Sequence, residues 1–306
     1  MTEPILTTSA LTRDYGGTGL LGVDLVVPTG AIYGLVGLNG AGKTTLLALL
    51  TGLRRPDSGT ISLRISRRRL AYCPDVSEFD PWLTAREVVD LALSLTDSRQ
   101  PEERADHIDA ALADAGLTGS VSRRVGGFSR GMTARLGLAC ALASDPDLLI
   151  LDEPAAALDP VGRAELLTQV AAMRGHRTVL FSSHILGDVQ RIADQVGILR
   201  AGRLLYQGST QELIDTYLTP AWLVRIAGDA SGFLAAATGA DWVTAVRSAP
   251  GDGAVRIEAT SMAAGERGIP ALVAACGLRL AAMEPAGADL ESAFLALTTG
   301  VAGAAA

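Results

Sequence analysis

Gly37-Leu38-Asn39-Gly40-Ala41-Gly42-Lys43-Thr44-Thr45 decides the reading of this chain. It contains the only asparagine, and Lys43 is the only lysine; every other member of the 26 lysines and arginines is arginine. Arginine is a planar fork and lysine a compact charge on a thin stem, so the two do not substitute freely. A chain that uses arginine everywhere else keeps its one lysine where the slender shape matters. The pattern Gly-x-x-x-x-Gly-Lys-Thr is a phosphate-binding loop. Its glycines let backbone N–H groups approach phosphate oxygens, and the helix opening near Gly42 aims its positive end at the same anion. Lys43 can reach the outer phosphates, and the Thr44 hydroxyl suits a Mg2+ ligand position.

The flanks fit that loop. Ala31–Gly37 is an apolar run that reads as a buried strand, and Thr45–Leu53 is leucine-rich and helical. Further strands are expected at Leu20–Val27 and Thr60–Ile65. From Pro81 to Leu142 the character is helical: Thr84-Ala85-Arg86-Glu87 reads as a capping box, and Pro101-Glu102-Glu103 opens another helix. Apolar strands return at Asp147–Leu151, Thr178–Ser182 and Gln195–Leu199. The expected fold class is therefore α/β, a strand-and-helix core interrupted by a helical block. The composition shifts near Tyr217 to Pro220. Beyond it the order is strand (Trp222–Ala227), helix (Ser231–Ala237), strands (Trp242–Arg247 and Val255–Ala259), helix (Pro270–Cys276) and strand (Arg279–Met283). This βαββαβ order suggests a small ferredoxin-like α+β domain, followed by a helix at Asp289–Thr298.

Composition removes several function classes. The chain is 48% apolar and carries a formal charge of -7, which gives no global pull toward nucleic acid or anionic membrane. The densest basic run, Arg67-Arg68-Arg69, reads as a solvated strand edge. Three cysteines without metal spacing imply a reduced, cytosolic setting. No signal peptide is visible, and no apolar run is long enough to span a bilayer. Scarce Lys and Asn beside abundant Ala, Gly and Arg suggest a high-GC bacterial genome.

Asp147-Leu148-Leu149-Ile150-Leu151-Asp152-Glu153-Pro154 is an apolar strand ending in two carboxylates. Beside a phosphate loop, Asp152 can hold Mg2+ and Glu153 can polarise an attacking water. With this second motif in place, and with Phe128-Ser129-Arg130-Gly131-Met132 between the two, the chain resembles the ATP-binding subunit of an ABC transporter. That family has a P-loop NTPase core with an inserted helical subdomain. The resemblance implies a cassette over residues 1–216, its helical part at about 79–142, and an accessory C-terminal domain at 217–306.

The resemblance also implies roles. Ser129 and Gly131 match the signature segment, which contacts ATP held by a second copy, so a homodimer sandwiching ATP and Mg2+ is expected. Asp159, in Ala157-Leu158-Asp159, matches the loop that crosses to that copy. His184, after Ser182-Ser183, matches the histidine that senses the γ-phosphate, and Tyr15 matches the aromatic that stacks on adenine. Asp75, in Tyr72-Cys73-Pro74-Asp75, stands where the family has Gln or Glu, one methylene short of the usual reach to Mg2+. Arg130 departs from the usual Gly and resembles some exporter branches, as does the final helix. Together these imply an ATPase on the inner face of the cell membrane, driving export of a small hydrophobic compound through a separate membrane permease. An importer ATPase, which shares every catalytic motif, and a non-transport ABC ATPase remain as alternatives.

Overall fold

The computed structural model describes residues 3–96, 101–217, 220–227, 230–248, 254–286 and 289–299. The chain divides into two compact units, Met1–Thr210 and Gln211–Ala306. The division precedes the composition shift near Tyr217–Pro220, part of which lies outside the described residues.

In the first unit the elements run β1 (Pro4–Asp14), β2 (Gly19–Val23), β3 (Val26–Pro28), β4 (Ile32–Val36), α1 (Lys43–Leu50), β5 (Ser58–Leu63) and β6 (Leu70–Cys73). Three helices follow, α2 (Ala85–Thr96), α3 (Pro101–Asp114) and α4 (Arg130–Ala143). The unit closes with β7 (Leu148–Leu151), α5 (Pro160–Ala172), β8 (Thr178–Ser183), α6 (Leu186–Ile192), β9 (Gln195–Arg200) and β10 (Arg203–Ser209). Strand β1 pairs antiparallel with β2, β3 and β5. The main sheet has the order β10-β9-β4-β8-β7-β6. It is parallel except for the β9–β10 edge.

Strand β4 is buried at every residue, as a central parallel strand covered on both faces must be. Helix α1 is apolar nearly all round, and Leu46, Leu47, Leu49 and Leu50 are all buried. They join a core that also takes Leu6 and Leu11 from β1, Leu35 from β4, Ile150 from β7 and Leu180 from β8. Each leucine so buried contributes about 1.5–3 kcal/mol. The phosphate loop thus lies between a rigid strand and a helix locked on all sides.

Several local expectations need correction. The run expected as one strand, Leu20–Val27, is two, β2 and β3. Helix α1 stops at Leu50, before Leu53: the Thr51 hydroxyl bonds the carbonyls of Leu47 and Ala48, and Gly52 follows at φ 82°. Arg67–Arg69 is a short 3-10 turn capped by Ser66, not a strand edge, and Arg69 forks onto Asp147 at 2.9 and 2.6 Å. The capping box forms as expected: Thr84 N donates to Glu87 Oε2 at 2.7 Å and Glu87 N to Thr84 Oγ1 at 3.3 Å.

After α7 (Thr210–Thr216) come β11 (Ala221–Ala227), α8 (Ser231–Thr238), β12 (Val243–Ser248), β13 (Ala254–Ala259), α9 (Met262–Ala275), β14 (Arg279–Pro285) and α10 (Leu290–Thr299). Their sheet has the order β12-β13-β11-β14 with every neighbour antiparallel, which is the split βαβ arrangement. Helix α9 begins well before Pro270, because Ser261 caps it by accepting from Ala264 N at 3.2 Å. Gly265 lets that helix lie on Trp222: a Cβ there would stand 2.0 Å from the indole. The proline therefore lies inside a helix held by tertiary packing.

Candidate functional site

Strands β4, β7 and β8 are parallel neighbours, so the segments after them emerge on one edge of the sheet. Gly40 and Gly42 take φ of 79° and 106°, a region that favours glycine, and α1 starts at Lys43 immediately after. A Cβ at Gly37 would stand 2.5 Å from the carbonyl oxygen of Leu199, so side chains are excluded on two counts along this loop. Lys43 is only 7% exposed; its Nζ donates to Gly37 O at 2.7 Å and pairs with Glu153 Oε1 at 3.2 Å. The Thr44 side chain is exposed at the helix start.

Asp152 and Glu153 follow β7. Asp152 is buried and its N donates to Cys73 O at 2.9 Å. Glu153 adopts φ 47°, an uncommon conformation for a side-chain-bearing residue that costs about 1–3 kcal/mol. The surroundings hold it there. Its N donates to Ser182 Oγ at 2.8 Å, and Ser182 Oγ donates to Asp152 Oδ1 at 2.6 Å. Glu153 Oε2 faces His184 Nδ1 at 2.8 Å and accepts from His184 N at 3.3 Å. Lys43, Glu153 and His184 thus form one contiguous group. In this state, both the lysine and the histidine are engaged by the glutamate.

Asp75 lies beside this group. Partial burial raises its carboxyl above the ordinary value, the carboxylates of Asp152 and Glu153 add to that, and His184 offsets part. Tyr72 reaches Asp152 Oδ2 at 3.5 Å, the long limit of a hydrogen bond, and burial keeps its phenol protonated. Tyr15, at the end of β1, is 41% exposed.

Ser129, Gly131 and Asp159 form a second group. Ser129 caps α4 by accepting from Met132 N at 3.3 Å, and Asp159 caps α5 by accepting from Gly162 N at 2.7 Å. With Arg130, Leu158 and Arg135 they line one groove of about 510 Å³. Among the described residues no hydrogen bond joins these three to the phosphate loop.

The family model for ABC transporters matches residues 20–156. The ABC transporter ATP-binding protein YxlF of Bacillus subtilis is 41% identical over 206 residues, covering 65% of this chain and 69% of that protein. The chain belongs to the ABC transporter ATP-binding proteins. Bacitracin transport ATP-binding protein BcrA of Bacillus licheniformis is 37% identical over 66% of this chain and 68% of its own length. Daunorubicin resistance ATP-binding protein DrrA3 of Streptomyces coeruleorubidus is 34% identical over 70% and 71%. A solved structure of the ATP-binding subunit of an ABC transporter superposes with a TM-score of 0.62 at 29% identity, covering 70% of this chain and 93% of that one. An ABC ATP-binding subunit with a P-loop NTPase core is therefore the identity of the first unit.

The residues fit the groups such a subunit binds. Positive-φ glycines before a helix N-terminus make a phosphate cradle, and Thr44, Asp152 and Asp75 each carry the hard oxygen donors that Mg2+ prefers. Sequence reasoning did not find Ser182 or Tyr72 as supports of the acidic pair. A small hydroxyl at the end of an apolar strand is the one local signal, and it becomes specific only once β7 and β8 are known to be adjacent. No described helix is long and apolar enough to cross a membrane.

Proposed function

We propose that this chain hydrolyses ATP and that the hydrolysis powers export of a small hydrophobic compound through a separate membrane permease. The observation that carries the reading is the convergence of Lys43, Asp152, Glu153 and His184 at the ends of three parallel strands. Lys43 would leave Glu153 for the phosphates, which frees Glu153 Oε1 to accept a proton from water attacking the terminal phosphate. Mg2+, held by Thr44 and Asp152 with Asp75 beside them, would supply charge neutralisation. Catalysis in this scheme is mainly positioning and electrostatics.

Ser129 and Gly131, presented at the start of α4, suit the phosphates of a second copy, so a homodimer is part of the proposal. Support for the permease comes from a groove of about 700 Å³ where α2 and α4 meet β6, lined by Tyr72, Leu95 and Cys140 among others. Leu95 is 80% exposed there, and Tyr72 touches Asp152, so a load on the helical block can reach the acidic pair. Export and a drug-like cargo are supported by relatives named for bacitracin transport and daunorubicin resistance.

The test is Glu153→Gln. It keeps the shape but not the proton acceptor, so MgATP should bind and dimers should accumulate on size exclusion without phosphate release. Turnover at the wild-type rate would place water activation elsewhere.

A further inference from the structure

Tyr15 is not an isolated aromatic. The guanidinium carbon of Arg13 lies 5.1 Å from its ring centre and that of Arg54 5.6 Å. Arg54 Nη1 donates to the phenol oxygen. Arg13 pairs with Asp57 Oδ1, and Asp57 Oδ2 accepts from Asp14 N at 2.8 Å. Asp57 N donates to Thr12 O at 2.9 Å. The end of β1 is thereby tied to the segment between α1 and β5, and two cations from distant points of the chain meet at one ring.

Two guanidiniums repel unless something offsets them. Asp57 neutralises Arg13, while the phenol oxygen accepts from Arg54. An arginine can both hydrogen-bond a hydroxyl and lie against an aromatic face, which a lysine does less well. The ring remains 41% exposed, yet its hydroxyl end is tethered by Arg54. An exposed aromatic tethered at its far end loses less freedom when a flat partner stacks on it, and so binds that partner more tightly.

We propose that Arg54, assisted by the Arg13–Asp57 pair, is a positioning residue that locks Tyr15 as the platform for the nucleotide base. The inference rests on the reading of Tyr15 as the base-stacking residue. It makes affinity for the base depend on side chains acting through Tyr15 and not through the phosphates. The same arginines hold the phenol below its ordinary ionisation range, the Arg54 hydrogen bond being the largest cause. Burial pushes the Tyr33 and Tyr72 phenols the other way. Tyr15 should therefore give an early phenolate absorbance phase, assignable with Tyr15→Phe.

The experiment measures calorimetric Kd for MgADP and for pyrophosphate, which lacks a base, on the full chain and on Arg54→Leu, Arg54→Lys and Tyr15→Ala. Arg54→Leu should weaken ADP about two- to fivefold, the range of an exposed cation–aromatic contact, and leave pyrophosphate unchanged. Its phenolate phase should move to higher pH, and Arg54→Lys should recover part of both effects. If Tyr15→Ala leaves ADP affinity intact, the stacking reading itself is wrong and the inference falls with it. If Tyr15→Ala weakens ADP but Arg54→Leu does not, the stacking reading stands and the inference fails. Equal weakening of ADP and pyrophosphate by Arg54→Leu also overturns it, because the arginine would then act on phosphate charge.

Discussion

Ser182→Ala probes the support beneath Glu153. Ser182 is fully buried and spends its hydroxyl twice, accepting from Glu153 N at 2.8 Å and donating to Asp152 Oδ1 at 2.6 Å. The first bond is worth about 1 kcal/mol and the second, to a carboxylate, about 1.5–3, so the loss should be about 2.5–4 kcal/mol. For a unit of this size each kcal/mol moves the midpoint by about 2–4 °C, giving a drop of about 5–15 °C in the first thermal transition. Activity should fall further than stability alone requires. Glu153 sits at φ 47° and relies on this anchor, and a displacement of about 1 Å at a reacting group costs up to about 10²-fold. The assay is circular-dichroism melting beside steady-state phosphate release. Ser182→Cys, which fills the space but bonds weakly, should behave like the alanine variant, separating hydrogen bonding from packing. A Ser182→Ala protein that melts within about 2 °C of wild type and keeps its kcat would refute the reasoning.

Two further outcomes follow from the same geometry. Lys43 is the only amine side chain, and it is buried against Glu153. A lysine acylating reagent should modify it slowly, faster in Glu153→Gln, and not at all with MgATP present; peptide mass mapping that finds equal labelling with and without MgATP contradicts the phosphate assignment. Asp147, gripped by Nε and Nη2 of Arg69, has its carboxyl lowered by that hydrogen bonding. A depressed folded pKa means the pair's stabilisation is complete above the ordinary carboxylate value of 3.8 and is lost as pH falls through the folded value. The two side chains are each 41% exposed, so the gain is under about 1 kcal/mol. Urea midpoints of wild type and Asp147→Asn should differ slightly at neutral pH and converge well below about pH 4; a gap that persists in acid would show that the carboxylate charge is not its source.

Much of the site was legible because its chemistry is local. A glycine-rich turn followed by Lys-Thr needs only its own backbone to make an anion cradle, and an apolar strand ending in Asp-Glu announces buried carboxylates. The capping box at Thr84 and Glu87 was readable for the same reason. The start of α9 is not legible in the sequence, because Pro270 is a strong local signal, whereas the helix is set by a serine cap and by Gly265 lying on Trp222.

By itself, the sequence determined the residue types: one lysine, two carboxylates, a histidine and the turns that carry them. The tertiary structure decided which of them meet. Near-continuous apolar strands look alike along the chain, and only the interstrand order β4-β8-β7 brings Lys43, Glu153 and His184 into contact. The same non-local packing chose Ser182 as the anchor, forced Glu153 into positive φ and drew Arg54 onto Tyr15. None of these depends on near neighbours in the chain, because each is fixed by hydrogen bonds between elements far apart in it.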